Sequence, residues 1–430
     1  MEKKLGLWAC TALVIGNMIG TGIYLLPASL ASYGGWSLAG WLFTTGGSLC
    51  LALVLAWLSA LLPKAGGMYA YTSSAFGPFA GFMVAWGYWL CLISTNAAIA
   101  VGVVGPLAQL WPVLKEAPLL GALLALGFNF FLTLVNCRSV HTASAWQNVT
   151  TVLKILPLAA LILGGLFAIK PDLLFSAGTG HTGFEAISGS ATLSLWAFLG
   201  FESATFISAV ARDPAKTIPR ATIIGTIITA VIYVLSTSVV QGLVPAAVLG
   251  QSTAPFVEAA SRLWGPGAAL LIAVGAIISG FGALNGWILL SGQVPQAMAD
   301  DGMLPAVFAR LSRGGAPVVS LWLAFAVSSV LILANYTRGL VGLYTFVILL
   351  ATLGSLIPYV FCSLAYFVLP NGPRLARSRL LVAALGFIYA LWAIYGAGQE
   401  IVYWGFILWL AGMPIYVAMR QGKSSRTIQP

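Results

Sequence analysis

Apolar runs of roughly twenty residues recur along this chain from near its start to near its end. Short turns separate them, and no soluble segment lies between. A bilayer's hydrocarbon core is about 30 Å thick, which a helix of that length crosses. The pattern therefore predicts twelve spans, at 7–31, 36–62, 79–112, 117–136, 146–169, 187–211, 220–244, 265–297, 318–335, 341–369, 380–397 and 402–419. The predicted fold is an all-α polytopic membrane protein.

Two of these runs are interrupted. In the first, Gly16-Asn17-Met18-Ile19-Gly20-Thr21-Gly22 puts three glycines and two polar residues near mid-bilayer. That weakens helix propensity where lipid cannot satisfy a free backbone group. A break here would leave a second half-helix with free N–H groups and a positive dipole end, suited to a carboxylate. Gly16 and Gly20 are also spaced for close packing of one helix face on a neighbour, and the stretch alone leaves both readings open. The sixth span carries Trp196-Ala197-Phe198-Leu199-Gly200-Phe201-Glu202-Ser203. Glu202 lies ten residues before Arg212, about 15 Å along a straight helix. An acid at that depth is either functional or a structural acceptor for unwound backbone. Interruptions five spans apart are what two inverted five-helix repeats produce, with a binding site at their interface. The expected division is 1–170, 171–370, and 371–430 for the last two spans and tail.

Other polar groups fall inside apolar runs. Span three carries Tyr88, Cys91, Ser94 and Asn96; span eight carries Trp287; span ten carries Ser355 and Tyr359. Such groups either bond across helices or line a cavity. Lys154 lies about 10 Å into span five, counted from Gln147. It either snorkels back to the interface or holds an internal ammonium in place of a bound cation. Spans eleven and twelve carry no deep charge and read as outer packing, which leaves a homodimer open. Asp300-Asp301 reads as the cap of a short helix that follows.

Composition agrees with the pattern. The chain has 430 residues, 60% hydrophobic and 7% charged, with mean hydropathy +0.97. No water-soluble domain hides that much apolar surface. With both termini inside, fifteen of the 20 Lys and Arg residues fall in inner loops and tails, among them Lys64, Arg212 and Arg220. Only Lys115, Lys170, Arg262 and Arg338 fall outside, and Lys154 is the one within a span. This bias predicts cytoplasmic termini in a cell inner membrane. It also assigns the net charge of +10 to lipid headgroups, with no need for nucleic acid. Glu2-Lys3-Lys4 leads directly into the interrupted first span, so that segment reads as retained and not as a cleaved signal. Five scattered cysteines without paired spacing, and His141 and His181 far apart, predict no disulfide framework, metal site or cofactor.

The joint pattern resembles the amino acid–polyamine–organocation (APC) superfamily. It is carried by residues 16–22 followed by Leu25-Leu26-Pro27-Ala28, then by Leu195 to Ser203. Gly66-Gly67, Phe76-Gly77-Pro78-Phe79, Asp213-Pro214, Gly286-Trp287 and Pro358-Tyr359 add to it. Within the superfamily the chain is most similar to the basic amino acid/polyamine antiporters of the arginine/agmatine type. The resemblance implies a LeuT-like fold with discontinuous helices 1 and 6. It implies that Thr21 and Gly22 bind a substrate carboxylate, with Asn17 beside them in the break. Met18, Trp196 and Leu199 would offer carbonyls to an α-amino group, and Trp196 would face a guanidinium as a cation–π partner. Asn96 and the backbone near Cys91 would complete the head-group contacts, with Trp287 over the aliphatic stem. Tyr88, Glu202 and Tyr359 match gating positions. Ala197 and Ala351 stand where that branch has serines, and Lys154 where it lacks a lysine. Other members, proton-coupled permeases included, resemble the chain at Lys154.

The expected function is therefore secondary-active exchange of amino acids, cationic ones or their amines. A proton-coupled or broad-range permease using Lys154 is the alternative within transport. An enzyme would need a nucleophile–base pair or metal cluster at depth, and the sequence has no HExxH, paired carboxylates or Ser/His arrangement. A membrane nutrient sensor would normally add a soluble signalling domain, for which residues 420–430 leave no room.

Overall fold

The computed structural model describes residues 4–178, 182–252, 254–337, 340–369 and 377–427. Glu2, Lys3, His181 and Arg338 lie outside the described residues, as do the side chains of Lys115 and His141. The helices are α1 (Leu7–Met18), α2 (Gly22–Leu30), α3 (Trp36–Leu61), α4 (Met68–Phe76), α5 (Pro78–Leu110), α6 (Pro118–Arg138), α7 (Val140–Gly165) and α8 (Gly183–Phe198). They continue with α9 (Ser203–Phe206), α10 (Pro214–Leu243), α11 (Pro255–Trp264), α12 (Pro266–Asp300), α13 (Val318–Thr337), α14 (Leu340–Val368), α15 (Arg377–Gly396), α16 (Gln399–Leu410) and α17 (Gly412–Thr427). Among the described residues no strand forms. The one isolated bridge pairs Leu5, just before α1, with Ala211, after the second break.

Nine described helices are long and apolar enough to cross a membrane, or ten if the bent pair α1/α2 is one span. This is fewer than the twelve expected, and for one of the missing runs the reason is physical. The sixth run is cut at the second break, so α8 has only 16 residues. The ninth run forms α13, 20 residues long, whose described side chains end at Ala334. All of this agrees with the all-helical membrane class.

The first span bends by 40° between its halves. α3 packs along both α8 and α10, and α10 packs along α1, so the two interrupted spans share one group of helices. α5 and α12 make the most extensive pairing of a second group, joined by α7, α13 and α6. α1 touches this second group through α7 and α12. Asp301 does not open a helix as expected. It closes α12, and Gly302 follows at φ +68°. The side chain is used elsewhere: Tyr69 Oη on α4 donates to Asp301 Oδ2 at 2.9 Å, and Lys64 Nζ lies 3.5 Å from Oδ1.

The two breaks meet backbone to backbone. Gly200 has φ +115°, and a Cβ there would lie 3.0 Å from both the Asn17 carbonyl carbon and the Met18 nitrogen. Gly200→Ala should therefore cost about 1–3 kcal/mol of stability, from backbone strain and displacement of α1. Gly127 of α6 has open space around a Cβ, so Gly127→Ala should be neutral or slightly stabilising. Thermal unfolding of both variants in detergent checks this, and equal responses would show that the break imposes no such constraint.

Candidate functional site

The site begins with the backbone between α1 and α2. After Met18 the chain leaves helical geometry, with Ile19 extended at φ −78°, ψ 93°. Carbonyls that a continuous helix would pair internally are now exposed inside the bundle, and each needs a donor. Side chains from three helices supply them. Lys154 Nζ on α7 donates to Gly16 O at 2.8 Å and to Ile19 O at 2.7 Å. Trp287 Nε1 on α12 donates to Asn17 O at 3.0 Å. Tyr233 Oη on α10 lies within hydrogen-bond distance of Met18 O. Ser279 Oγ on α12 reaches Ile19 O at 3.2 Å and Gly20 O at 3.1 Å. Five consecutive carbonyls, 16 to 20, thus each face a side-chain donor.

Lys154 is fully buried. Its ammonium does not snorkel to the interface, because it is held on the carbonyl end of α1. There the helix dipole and two partial negative charges favour a cation.

At the second break α8 ends at Phe198, Leu199 turns extended, and α9 restarts at Ser203. Glu202 sits in this turn, also fully buried. Its Oε1 accepts from Tyr88 Oη at 2.7 Å, and its Oε2 from Tyr359 Oη at 2.7 Å and from Gly200 N–H at 3.0 Å. Three donors around two oxygens are what a buried carboxylate requires. Tyr88 stacks on Phe206 with centroids 5.0 Å apart, and Tyr359 on Phe201 at the same separation, so both hydroxyls are aimed by packing. Asn17 Nδ2 donates to Ser203 Oγ at 2.7 Å, joining the breaks through side chains as well. Among the described residues, Lys154 and Glu202 are the only fully buried charged side chains. One serves each break, with opposite sign.

Between the breaks lies a small cavity. Asn17, Met18, Gly20, Thr21, Gly22, Thr95, Ile99, Trp196, Ala197, Leu199 and Trp287 line it, and its free space is about 20 Å³. That is room for about one water molecule. The indole of Trp196 lies close over the start of α2, where a Cβ at Gly22 would be 2.0 Å from Trp196 Cζ3. The free space is too small for a ligand the size of an amino acid without rearrangement of the lining side chains.

Of the nine residues expected to bind substrate, Asn17, Met18, Thr21, Gly22, Trp196, Leu199 and Trp287 come together at this cavity. Cys91 and Asn96 lie outside its lining. Cys91 Sγ contacts Ser355 Oγ at 3.0 Å, and Asn96 Nδ2 donates to Ser291 Oγ at 3.4 Å. α5 instead turns Thr95 and Ile99 to the cavity. Tyr88, Glu202 and Tyr359 form one hydrogen-bonded cluster at the second break. Sequence reasoning missed Tyr233 and Ser279. A tyrosine hydroxyl deep in span seven was an available signal, whereas a serine in a small-residue run gave none. Among the described residues no group of His, Cys, Asp or Glu is arranged to hold a metal.

Comparison with known proteins adds a family and relatives. The amino acid permease family model matches residues 5–419. The chain is 32% identical over 421 residues to the putrescine transporter PotE of Escherichia coli (strain K12), covering 96% of each chain. It is 32% identical over 453 residues to a putative arginine/ornithine antiporter of Bacillus subtilis (strain 168), again covering 96% of each. Similarity to the cadaverine/lysine antiporter of Escherichia coli (strain K12) is 31% over 437 residues, covering 99% of this chain and 97% of that one.

Lys154→Met keeps the side chain's bulk but leaves Gly16 O without its donor and Ile19 O with Ser279 alone. Each unmatched buried carbonyl costs about 1–3 kcal/mol, so the variant should unfold at clearly lower temperature in detergent. A change no larger than that of a lipid-facing substitution would mean that the ammonium does not brace the break.

Proposed function

We propose that the chain, which belongs to the amino acid permease family, is a secondary-active exchanger of cationic amino acids and their amines. The observation that carries this reading is the small cavity between two helix breaks. It offers N–H groups at the start of α2 to an anion and carbonyls of Met18, Ala197 and Leu199 to an ammonium. Relatives named for putrescine, arginine/ornithine and cadaverine/lysine support cationic substrates with one or two ammonium groups.

In this reading a substrate carboxylate docks on Thr21 and Gly22 at the half-helix N-terminus. The α-ammonium meets the carbonyls across the cavity. Trp196 swings from Gly22 to stack on the cationic head group, and Trp287 covers the stem. Tyr88, Tyr359 and Glu202 hold the second break until the substrate is in place. Cys91 and Asn96 contribute through α5, which brings Thr95 to the wall. Exchange follows if the closed form is reached readily only with a substrate inside, so that each passage requires a ligand. The twelve-span, two-repeat organisation, with units 1–170, 171–370 and 371–430, is part of the proposal. So are the cytoplasmic termini, supported by the basic inner loops, and a homodimer through the last two spans.

The position of Lys154 favours one second reading, proton coupling. A lysine bonded to Gly16 O and Ile19 O holds both less strongly once it loses its proton, because the bonds are no longer charge-assisted. Lys154→Met proteoliposomes should then lose any proton flux coupled to substrate.

The test is counterflow in proteoliposomes with lysine, arginine, ornithine, putrescine, cadaverine and agmatine. At least one amino acid–amine pair should exchange one for the other, and indifference to all six overturns the proposal. Thr21→Val should weaken lysine about tenfold, one hydrogen bond to a charged group, and spare cadaverine. Equal losses for both would mean that the half-helix does not read the carboxylate.

A further inference from the structure

The phenol of Tyr233 poses a problem of proton number. Its oxygen lies within hydrogen-bond distance of two carbonyls, Met18 O at the first break and Ala197 O at 3.0 Å beside the second. A phenol has one hydrogen to donate, and both neighbours only accept. One carbonyl therefore lacks a donor from this hydroxyl at any moment. Rotation about the C–O bond exchanges which one is served but cannot serve both. The ring itself is held: it is fully buried, with Trp41 at 5.5 Å and Phe198 edge-on at 5.6 Å between centroids. Met18 and Ala197 both line the cavity, and Tyr233 stands behind that wall.

We infer that Tyr233 is a positioning residue that sets the ammonium requirement of the site. It ties one carbonyl from each interrupted span into a receptor that is one N–H short. A substrate ammonium supplies the missing N–H to one carbonyl while the phenol proton serves the other. A single N–H from the ligand is then enough. This rests on the cationic-substrate reading and deepens it. It also explains a link between ligand and conformation: the two carbonyls belong to the two breaks, so they are jointly satisfied only when an ammonium lies between them.

The inference separates from a general packing role by counting N–H groups. The probes are lysine methylated progressively at the α-nitrogen and cadaverine methylated progressively at both ends, as competitors of counterflow into proteoliposomes. In the wild type, tertiary ammonium compounds keep one N–H and should still compete. Quaternary compounds have none and should lose at least about tenfold. The preceding methylation step adds the same volume without removing the last N–H, so the drop should fall on the last step alone. In Tyr233→Phe both carbonyls depend on the ligand. The drop should therefore move one step earlier, the tertiary compounds losing about tenfold relative to the primary ones beyond any wild-type difference. If Tyr233→Phe weakens every compound by the same factor, Tyr233 only packs and the inference fails. If that variant does not yield a monodisperse protein, the wild-type series decides, and quaternary compounds competing as well as tertiary ones overturn the inference. A wild type that exchanges none of the unmethylated cations overturns the cationic reading itself, and this inference with it, without reference to the variant.

Discussion

The structure depends on satisfying unwound backbone where no water can do it. Interrupting a helix in the middle of an apolar bundle exposes carbonyls whose burial without a donor costs several kcal/mol each in hydrocarbon. At the first break, five such carbonyls in a row draw donors from Lys154, Trp287, Tyr233 and Ser279. These side chains come from α7, α10 and α12, so the break also determines how three other helices must be placed. The polar residues of this apolar chain are concentrated where the backbone needs them.

The requirement couples the two helix groups. α1 belongs with α3, α8 and α10, yet Lys154, Ser279 and Trp287 reach it from the other group. Polar contacts extend further into that group: Asn136 Nδ2 on α6 donates to Asn285 Oδ1 on α12 at 3.0 Å, and Asn285 Nδ2 donates to Gln147 Oε1 on α7 at 3.2 Å. Relative movement of the groups therefore cannot be a free slide over lipid-like side chains. It must exchange hydrogen bonds at the break, which is where a ligand with its own donors and acceptors acts. A substrate shifts a conformational equilibrium only by the difference in its interactions with the two states. A binding site built from the coupling bonds has such a difference by construction.

Much of this was legible in sequence because membrane spans make polar residues conspicuous. Three glycines with Asn17 and Thr21 in an apolar run, Glu202 beside Gly200, and Lys154 in span five all stood out for that reason. What stayed hidden depends on rotation and on partners. Span three offered Cys91, Asn96 and their neighbours as a polar run, but a rotation of 100° per residue decides which side faces the cavity, and α5 turns Thr95 and Ile99 there. The two readings of Lys154 differ in side-chain direction, which a sequence does not contain. Tyr233 gave no motif. Its meaning lies in standing between two carbonyls that precede it by 36 and by 215 residues. The sixth run does not form one membrane-length helix, because an apolar run does not reveal where a helix stops within it.

The closures at different depths also differ in cost. Toward the end of the bundle that carries Lys64 and Asp301, the ties are a half-exposed ion pair at 3.5 Å and the Tyr69 hydrogen bond. An exposed pair of that kind contributes about 0–1 kcal/mol, so this end is held lightly. The short pairing of Leu5 with Val210 and Arg212, through two 2.8 Å backbone bonds, adds a second tie that water can replace when it opens. Deeper in, the Glu202 carboxylate cannot lose Tyr88 and Tyr359 without leaving a charge in a dry site. The ties at this end can therefore fluctuate on their own, whereas the deep cluster must be exchanged for equivalent hydrogen bonds. Weak ties let this end open, whereas the deep cluster holds the two breaks together unless something replaces its hydrogen bonds.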